Sequence, residues 1–459
     1  MSQTTIPGQD IGSHFELLLG SQAVASDSPT LERHAVDGVS PNLVLMPENA
    51  EQIAAILRLA NERNQPIVPF GGGTRQHLGR IPETVGIVVS TERIKKIEAY
   101  DPGDLTISVQ AGATVAQLRR LCSDHHQFLP IEAPAGSTVG GSLAAASCGP
   151  LRAGFGGLRD FCIGISFVSG DGVSGRGGGR VVKNVAGYDL MKLMIGSFGT
   201  LGIISAANFK LFPSPEQTLT CLCHFESLAQ AFSFRDWLLR SPLSPISVEI
   251  IGPEAAEYFD DAEPRNPDEW APEHRLETVA RPWQMAVRFS GTDRTLARCR
   301  REVASWTARE MDGSTESEFW NLLLEFETRV MSRHRNAMIF HLEVPIAESI
   351  VALESARTAA GEYNFVTAIA GRATAGSFVV AFLPLAIDPP SVMQFAGAAS
   401  DLRSRLSRDC SAVVVRCPRE AKQHFDTWGS TPTDIELMKK IKRALDPKGI
   451  LNRGRFLIG

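Results

Sequence analysis

Two amphipathic patterns in the N-terminal third of the chain predict helices. Between residues 53 and 60, apolar side chains recur at i, i+3, i+4 and i+7, which is the spacing of one helix face. Asn49 and Gln52 stand before this pattern as a capping pair, and Thr114 and Gln117 stand in the same way before a second helix. Short strands are predicted at 67–70, 87–90 and 105–111.

The segment 105–111 alternates apolar and polar residues, as a half-buried strand does. Short strands mixed with helices indicate an α+β fold for this part of the chain. The inward-facing set is predicted to be Leu105, Ile107 and Val109, and the outward-facing set Thr106, Ser108 and Gln110.

From residue 219 the extended runs become longer, with helical patterns between several of them, which predicts a second domain of the α/β type. A proline-rich, acidic stretch at 260–282 lacks periodicity and is predicted to be a surface insertion. A basic helix is predicted over 434–445. The predicted strands of this part are 220–225, 246–251, 284–289, 338–344, 378–383 and 412–415.

Composition and charge exclude several classes of protein. The 459 residues are 43% hydrophobic and 21% charged, as in a globular protein of more than one domain. The net charge of -5 provides no global positive field, so we expect no nucleic-acid partner. The N-terminus lacks a basic leader, and no apolar run approaches the ~20 residues of a membrane span. These features predict a soluble, cytoplasmic protein.

Eight cysteines are scattered along the chain without a Cys-x-x-Cys pair. Zinc ribbons, c-type haem sites and iron–sulfur ligand runs use Cys-x-x-Cys pairs, so their usual signatures are absent. The sequence predicts reduced thiols that pack as small apolar side chains. Any electron carrier is then organic or lies on a partner protein.

Two glycine-rich segments are the main candidates for binding chemistry. In the first, residues 69–74, three successive glycines follow a predicted strand and can aim their amide hydrogens at one anion. The second, residues 134–141, offers the same chemistry. A simple turn is the alternative for each segment alone, but two such segments together indicate one extended cofactor.

A third glycine-rich segment, 170–175, formally fits the dinucleotide-binding pattern G-x-G-x-x-G. That pattern requires a helix directly after it, whereas this segment continues as glycine-rich loop and then as a strand-like run. We therefore predict a hairpin turn. The usual signatures of P-loop nucleotidases, zinc proteases and serine hydrolases are absent.

Four motifs occur in a specific order: PFGGGT at 69–74, APAGSTVGGSLAA at 133–145, GPLRAGFGGLRDFCIG at 149–164 and GSFGTLGII at 196–204. Together they resemble the FAD-binding domain of the vanillyl-alcohol oxidase, or PCMH-type, flavoprotein family. Within that family, segments 181–202 and 445–455 are most similar to the FAD-binding subunit of bacterial glycolate oxidase.

The resemblance implies an α+β, two-lobed PCMH-type FAD-binding domain and an α/β cap domain over the flavin. The implied boundaries are an N-terminal extension at 1–38, the FAD-binding domain at 39–214, the cap at 215–430 and a C-terminal segment at 431–459 that returns to the FAD domain.

Site residues are also implied by the resemblance. The loop that holds the FAD pyrophosphate matches Gly71, Gly72, Gly73 and Thr74. The loop beside the pyrophosphate and flavin matches Pro134, Gly136, Ser137, Gly140 and Gly141. The remaining matches are Gly149, Gly154, Gly157 and Asp160 in a stretch that passes the cofactor, Gly202, Ile203 and Ile204 at the adenine end, and Asn452 and Arg455 in the tail.

Two departures from the family pattern matter. Some members attach FAD covalently through a histidine in the first loop, whereas residues 73–75 here read Gly-Thr-Arg, so we predict noncovalent FAD. Members that oxidise 2-hydroxy acids commonly carry an H-x-H metal pair and a G-D-G-N stretch in the cap, and this chain has neither. We predict no metal site, and the catalytic residues stay unassigned.

Few histidines and arginines suit catalysis. His341 has the best location in the second domain for a base, and Arg372 or Arg416 could hold a carboxylate. For each of the three residues a structural role is the more common interpretation, namely a hydrogen-bonded histidine in a strand and arginines at the surface. His125 and His126 are predicted to lie at the surface.

The resemblance implies that the chain is the FAD-binding subunit of a glycolate-oxidase-type complex. Such a complex oxidises glycolate, a small 2-hydroxy acid, to glyoxylate, with a second FAD-containing subunit and an iron–sulfur subunit as partners. The complex would bring a cytoplasmic chain to the membrane only peripherally. Two alternatives stay open, namely a stand-alone FAD-dependent 2-hydroxy-acid dehydrogenase and a noncatalytic assembly subunit with a structural flavin.

Overall fold

The structure is a computed structural model that describes residues 9–82, 84–180, 188–259, 281–386 and 388–458. It divides into two compact units. Unit 1 consists of residues 1–148, 157–214 and 431–459, and unit 2 of residues 149–156 and 215–430. Residues 260–280 of the predicted insertion, and residues 181–187 of one quoted motif, lie outside the described residues.

Helices and strands are numbered here along the whole chain. The helices are α1 (Gln9–Leu19), α2 (Ser28–Arg33), α3 (Ala50–Glu62), α4 (Val115–Ser123), α5 (Val139–Ala144), α6 (Arg152–Phe155), α7 (Leu158–Phe161), α8 (Leu190–Met194), α9 (Leu228–Arg240), α10 (Asp293–Val303), α11 (Gly313–Leu324), α12 (Phe326–Arg333), α13 (Ser349–Glu362), α14 (Val392–Arg405), α15 (Arg419–Lys422) and α16 (Ile435–Leu445). The strands of unit 1 are β1 (Val24–Ala25), β2 (Leu43–Leu45), β3 (Ile67–Phe70), β4 (Ile87–Ser90), β5 (Ile97–Asp101), β6 (Thr106–Gln110), β7 (Gln127–Phe128), β8 (Cys162–Ser169), β9 (Ser174–Gly178), β10 (Gly202–Lys210) and β11 (Phe212–Pro213). Those of unit 2 are β12 (Gln217–Phe225), β13 (Ser247–Ile251), β14 (Trp283–Gly291), β15 (Thr307–Met311), β16 (Met338–Glu343), β17 (Phe365–Arg372), β18 (Ser377–Pro384) and β19 (Ser411–Arg416).

Both predicted capping pairs begin a helix. The Asn49 side chain accepts the backbone N–H of Gln52 at the start of α3. Thr114 and Gln117 form a reciprocal capping box at the start of α4. Such caps satisfy amide hydrogens that have no partner inside the helix, and they use neighbouring residues only, which is why the sequence alone reveals them.

Unit 1 contains two main sheets. One has the order β1-β2-β4-β3, in which β2 and β3 both run parallel to β4. Its apolar side chains pack with α1 and α3, as the helix spacing predicts. The other has the order β5-β6-β10-β8-β9 and is antiparallel in every pair. Two sheets in one unit agree with the two lobes that the resemblance implies.

The strand predicted at 105–111 is present as β6, but the facing of its polar residues was predicted wrongly. Thr106 and Ser108 are 6% and 4% exposed, so they are buried like the apolar set. β6 lies between β5 and β10, and both of its faces are covered, whereas alternation indicates only one buried face.

The predicted hairpin at 170–175 is confirmed. β8 and β9 pair antiparallel, and the backbone N–H of Ser169 donates to the Val173 carbonyl over 3.0 Å across the turn. The Asp171 carboxylate accepts the N–H of Val173 inside that turn. A hairpin at this point leaves no helix N-terminus to face a dinucleotide.

Unit 2 is built on an eight-stranded sheet with the order β15-β12-β14-β13-β17-β18-β16-β19. Every neighbouring pair in it is antiparallel. One face packs apolar side chains against α9, α10, α13 and α14. The mixture of helices and strands is confirmed, and its antiparallel pairing makes unit 2 α+β rather than α/β in the strict sense.

Candidate functional site

The two predicted glycine loops line one cavity in unit 1. The cavity has a volume of about 670 Å³ and is bounded by Gly71, Gly72, Gly73 and Thr74 from the first loop and by Gly136 and Thr138 from the second. This volume lies within the range of about 300–1,000 Å³ that is typical of ligand pockets. The first loop follows β3 directly, so the cavity opens at the carboxyl ends of parallel strands, where α/β sheets commonly bind ligands.

The two loops contact each other directly. The hydroxyl oxygens of Thr74 and Ser137 are 3.0 Å apart, within hydrogen-bonding distance. A Cβ atom on Gly72 would overlap the backbone carbonyl of Gly136, and one on Gly71 would overlap the hydroxyl of Thr138. Glycine at 71 and 72 is therefore required by loop-to-loop packing, a reason that does not follow from either loop read separately.

The loops differ in the amide hydrogens that they offer. Among the residues that the structure describes, the amides of Gly71, Gly72 and Gly73 donate to no acceptor. In the second loop, the amides of Val139 and Gly140 donate to backbone carbonyls over 2.9 and 2.8 Å. These two second-loop amides are used in joining the loop to residues 111–113, whereas the three glycine amides of the first loop are not used in this way.

The wall of the cavity includes polar residues that lie outside the motifs. They are Arg33, His34, Glu92, Lys95, Thr114 and Gln117. Arg33 and Glu92 form an exposed ion pair with 3.6 Å between nitrogen and oxygen. The sequence does not predict this wall, because its residues come from separate segments of the chain. Only Thr114 and Gln117 were recognisable locally, as a helix cap.

His34 is buried and packs beside the residue that precedes the first loop glycines. Its Nδ1 lies 2.8 Å from the carbonyl oxygen of Thr30, and because a carbonyl only accepts, Nδ1 carries the hydrogen. Its ring lies 4.8 Å from the ring of Phe70, the residue that precedes the glycines. Helix α2, which brings Arg33 and His34 to the cavity, is capped by the Asp27 side chain through the N–H of Thr30.

Other predicted site residues support packing within unit 1. Gly140 lies against Ala111, since a Cβ added to it would stand 2.7 Å from the Ala111 Cβ. Gly202 begins β10, and Ile203 and Ile204 are buried in the pairing of β10 with β8. Pro134 accepts the backbone N–H of Ser137 over 3.1 Å and so closes the second loop.

The predicted stretch from Gly149 to Asp160 is divided between the two units. Gly149 and Gly154 belong to unit 2, where the N–H of Gly154 donates to the Ile246 carbonyl over 3.1 Å. Gly157 and Asp160 belong to unit 1, where the Asp160 carboxylate accepts the N–H of Gly157 over 2.7 Å. The predicted stretch therefore contributes residues to both units.

The tail residues Asn452 and Arg455 hold the protein backbone near the first loop. The Asn452 side chain donates to the carbonyl of Phe198, and its backbone N–H donates to Ile67 of β3. Arg455 donates to the carbonyls of Gln76 and Leu78 over 2.7 and 2.9 Å. Burial lowers the pKa of the Arg455 guanidinium to about 10, and the nearby charge of Asp37 opposes this shift.

A buried ion pair fixes the segment before this tail. Lys442 donates to Asp446 over 2.5 Å and also to the carbonyls of Thr200 and Leu451. Asp446 accepts the backbone N–H groups of Ile450 and Leu451. Burial lowers the pKa of Lys442, and the charge of Asp446 opposes this shift. With its partners satisfied, the pair holds the tail against the rest of unit 1.

In unit 2, His341 lies on the sheet face opposite the apolar core. Its Nε2 is 2.7 Å from a carboxylate oxygen of Glu327 on α12, and the two side chains are 32% and 15% exposed. His341 pairs with Val379 of β18, which pairs with Ala370 of β17. Arg372 lies two residues after Ala370, so it is on the same face of the sheet as His341. Arg416 pairs with Ile339 at the end of β19.

The remaining predicted features carry no site chemistry. His125 and His126 are exposed, as predicted. In the described part of the chain, no group of three or more His, Cys, Asp or Glu side chains could hold a metal ion. Nor is any helix there long and apolar enough to cross a membrane. All eight cysteines are free, and burial raises the pKa of Cys162 and Cys223 to about 12.

Two protein-family models match the chain. The model described as "FAD binding domain" matches residues 41–174, and the model described as "FAD linked oxidases, C-terminal domain" matches residues 421–456. The first match contains both glycine loops, and the second contains the tail with Asn452 and Arg455.

Named relatives fall into two groups. The chain is 24% identical over 432 residues to the mitochondrial D-lactate dehydrogenase [cytochrome] of Arabidopsis thaliana, covering 91% of this chain and 73% of that one. It is 38% identical over 186 residues to glycolate oxidase subunit GlcE of Escherichia coli, covering 40% and 52% respectively. A solved structure of p-cresol methylhydroxylase with substrate bound matches with a TM-score of 0.75 at 18% identity, over 99% of this chain and 97% of that chain. The last likeness confirms the PCMH-type fold.

Proposed function

We propose that this chain, an FAD-dependent oxidoreductase of the FAD-linked oxidases, oxidises a small 2-hydroxy acid as the FAD-binding subunit of a glycolate-oxidase-type complex. The observation that carries the proposal is the cavity of about 670 Å³ that both glycine loops line. Glycolate and D-lactate, named in the two relatives, are both 2-hydroxy acids, which supports the substrate class.

The residues at the cavity fit a phosphate-bearing cofactor. Three amide donors without a protein acceptor, beside the Thr74 hydroxyl, suit the diphosphate of FAD. The glycines leave no side chain to keep a ligand away from the backbone. When bound, FAD supplies the acceptor for the hydride that leaves the substrate carbon.

The other residues implied by the resemblance are proposed either to contact the cofactor or to support the loops around it. We infer that Gly136 and Ser137 line the cofactor, while Pro134, Gly140 and Gly141 shape their loop. Gly202, Ile203 and Ile204 would support the adenine end, and Asn452 and Arg455 would hold the loop after Thr74. Gly149, Gly154, Gly157 and Asp160 stay proposed as a stretch that passes the cofactor.

Noncovalent attachment is part of the proposal. The first loop offers glycine, threonine and arginine at positions 73–75, so no histidine stands in that loop to form a bond with the flavin. Precipitation of the loaded protein with acid should release all the flavin into the supernatant. Yellow colour that stays with the precipitated polypeptide would refute this part.

A multi-subunit setting is supported by two features. One relative is itself named as a subunit of glycolate oxidase. The chain also lacks a Cys-x-x-Cys pair, so electrons that leave its FAD would pass to a second flavoprotein and an iron–sulfur subunit. We place the complex in the cytoplasm, with membrane contact only through its partners.

A stand-alone 2-hydroxy-acid dehydrogenase is the second candidate. The pair of His341 and Glu327 favours it, because a carboxylate that accepts from Nε2 leaves Nδ1 as a possible proton acceptor. The match to a D-lactate dehydrogenase over 91% of the chain also favours it. In that case His341→Asn and Glu327→Gln would each slow flavin reduction by substrate at least tenfold, whereas the exposed His224→Asn would not.

Flavin reduction in the assembled and isolated states separates these functions. The loaded chain is mixed anaerobically with glycolate or D-lactate, alone and together with the partner subunits, and the flavin spectrum is followed. Bleaching of this chain's flavin only in the mixture supports the complex subunit, and bleaching of the chain alone supports the stand-alone enzyme. A flavin that stays oxidised in both states would indicate a structural flavin and contradict both proposals.

A further inference from the structure

Lys95 is a cation on the wall of the glycine-lined cavity. It is exposed, and within the described residues the structure gives it no ion-pair partner. Its neighbour in sequence, Lys96, is also exposed but does not line the cavity. Lys95 is held by a turn in which the N–H of Ile94 donates to Thr91 and the N–H of Gly112 donates to Ile94.

The other charged residues on this wall largely neutralise each other. Arg33 and Glu92 both line the cavity and pair with each other at 3.6 Å. Among the lining residues, all of which lie in the described part of unit 1, Lys95 therefore provides the positive charge that is not matched by a carboxylate.

The amides of the first loop do not by themselves supply the full positive charge that a cation would add. A diphosphate carries two negative charges, and the first loop lines the cavity with three backbone amides and a hydroxyl, which are dipoles rather than full charges. In the second loop the amides at 139 and 140 already donate to the protein, and the amide of Gly136, which lines the cavity, is again a dipole. A lysine ammonium supplies a point charge with three donors for phosphate oxygens.

We propose that Lys95 binds the diphosphate of FAD and so sets the affinity of the chain for the cofactor. The inference rests on the proposed FAD function and goes beyond it, since no motif includes Lys95. It assigns to Lys95 a role in binding and positioning the cofactor, with no part in hydride transfer.

The test measures ligand binding to the flavin-free protein by fluorescence or calorimetric titration. The variants are Lys95→Gln, the charge-preserving Lys95→Arg, and Lys96→Gln as the matched control. Three probes are used: FAD, ADP, which keeps the diphosphate without the flavin, and riboflavin, which has no phosphate. Binding is also measured at low and high salt, because an exposed charge pair weakens as salt rises.

We expect Lys95→Gln to weaken the affinity for FAD and for ADP about three- to tenfold. This is the range of an exposed charge contact strengthened by hydrogen bonds. Riboflavin affinity should not change, Lys95→Arg should stay within about twofold, and Lys96→Gln should bind FAD like the wild type. The salt dependence of FAD binding should be smaller in Lys95→Gln.

Three results would overturn the inference. They are unchanged FAD affinity in Lys95→Gln, an equal loss in Lys96→Gln, and an equal loss for riboflavin. A wild-type chain that binds no FAD would instead refute the proposed function, so the two failures are distinguishable. Matching thermal unfolding curves for Lys95→Gln and the wild type establish that any loss is not caused by misfolding.

Discussion

Gly72→Ala is the substitution that tests the loop-to-loop contact most sharply. A methyl group at this position would overlap the carbonyl oxygen of Gly136 and stand 2.9 Å from its carbonyl carbon and 3.4 Å from the Cα of Ser137. These atoms belong to backbone, so no side-chain rotation can relieve the overlap. The loops would have to separate by about an ångström.

Separation of two packed loops has a cost that can be bounded. Forcing an extra carbon into a well-packed site costs about 1–3 kcal/mol. Because the same two loops line the cavity, we expect the displacement to weaken FAD binding at least tenfold, the factor that corresponds to about 1.4 kcal/mol. Gly136→Ala would act differently, since its φ of +80° strains a side chain although only the Thr74 methyl group lies nearby, at 3.9 Å.

The assay combines urea unfolding with FAD titration of the flavin-free protein. Gly12→Ala is the matched control, because Gly12 lies within α1 and an added Cβ would meet nothing within 4 Å. That control should stabilise the chain by about 0.5–1 kcal/mol and leave FAD binding unchanged. A Gly72→Ala protein that unfolds like the wild type and binds FAD within twofold of it would refute the packing argument.

Three further predictions concern stability. The pKa of Asp27 is lowered below 3.8, chiefly by the N–H of Thr30, so its contribution to stability is complete above pH 3.8 and is lost as the pH falls through the lowered value. Asp27→Asn should flatten that part of the pH profile of urea unfolding, and an unchanged profile would contradict it. Arg455→Ala should lower the free energy of unfolding by about 2–4 kcal/mol, because the buried guanidinium and its hydrogen bonds to the Gln76 and Leu78 carbonyls are lost, whereas the exposed Arg453→Ala should cost less than about 1 kcal/mol. Glu316→Ala should destabilise unit 2 by about 3 kcal/mol, because Arg288, Thr218 and Thr220 lose a buried carboxylate partner, and equal FAD affinity would separate this effect from cofactor binding.

Local features of the fold follow from the sequence alone. The caps of α3 and α4 and the hairpin between β8 and β9 depend on residues within a few positions of each other. The glycine loops were recognised for the same reason, since successive glycines after a strand limit what the backbone can do. The presence of two such segments indicates one extended cofactor, and the resemblance to flavoproteins implies that this cofactor is FAD.

Features that depend on distant residues did not follow from the sequence. Strand β15 was not predicted because it is polar and mostly exposed at the sheet edge, and β17 because alanine and glycine weaken its strand pattern. The partners of Gly71 and Gly72 lie more than sixty positions away, so the packing reason for these glycines was hidden. His34 and Lys95 reach the cavity from segments with no binding motif.

We propose that the cavity between the glycine loops holds FAD that a 2-hydroxy acid reduces. The most direct test is one anaerobic absorption experiment on the purified chain reconstituted with FAD, then mixed with its partner subunits and given glycolate. We expect about one noncovalent FAD per chain, an affinity for FAD at least tenfold weaker in Gly72→Ala, and bleaching of this flavin on substrate addition. A chain that binds no FAD, or a flavin that neither glycolate nor D-lactate reduces in the assembled complex, would contradict it.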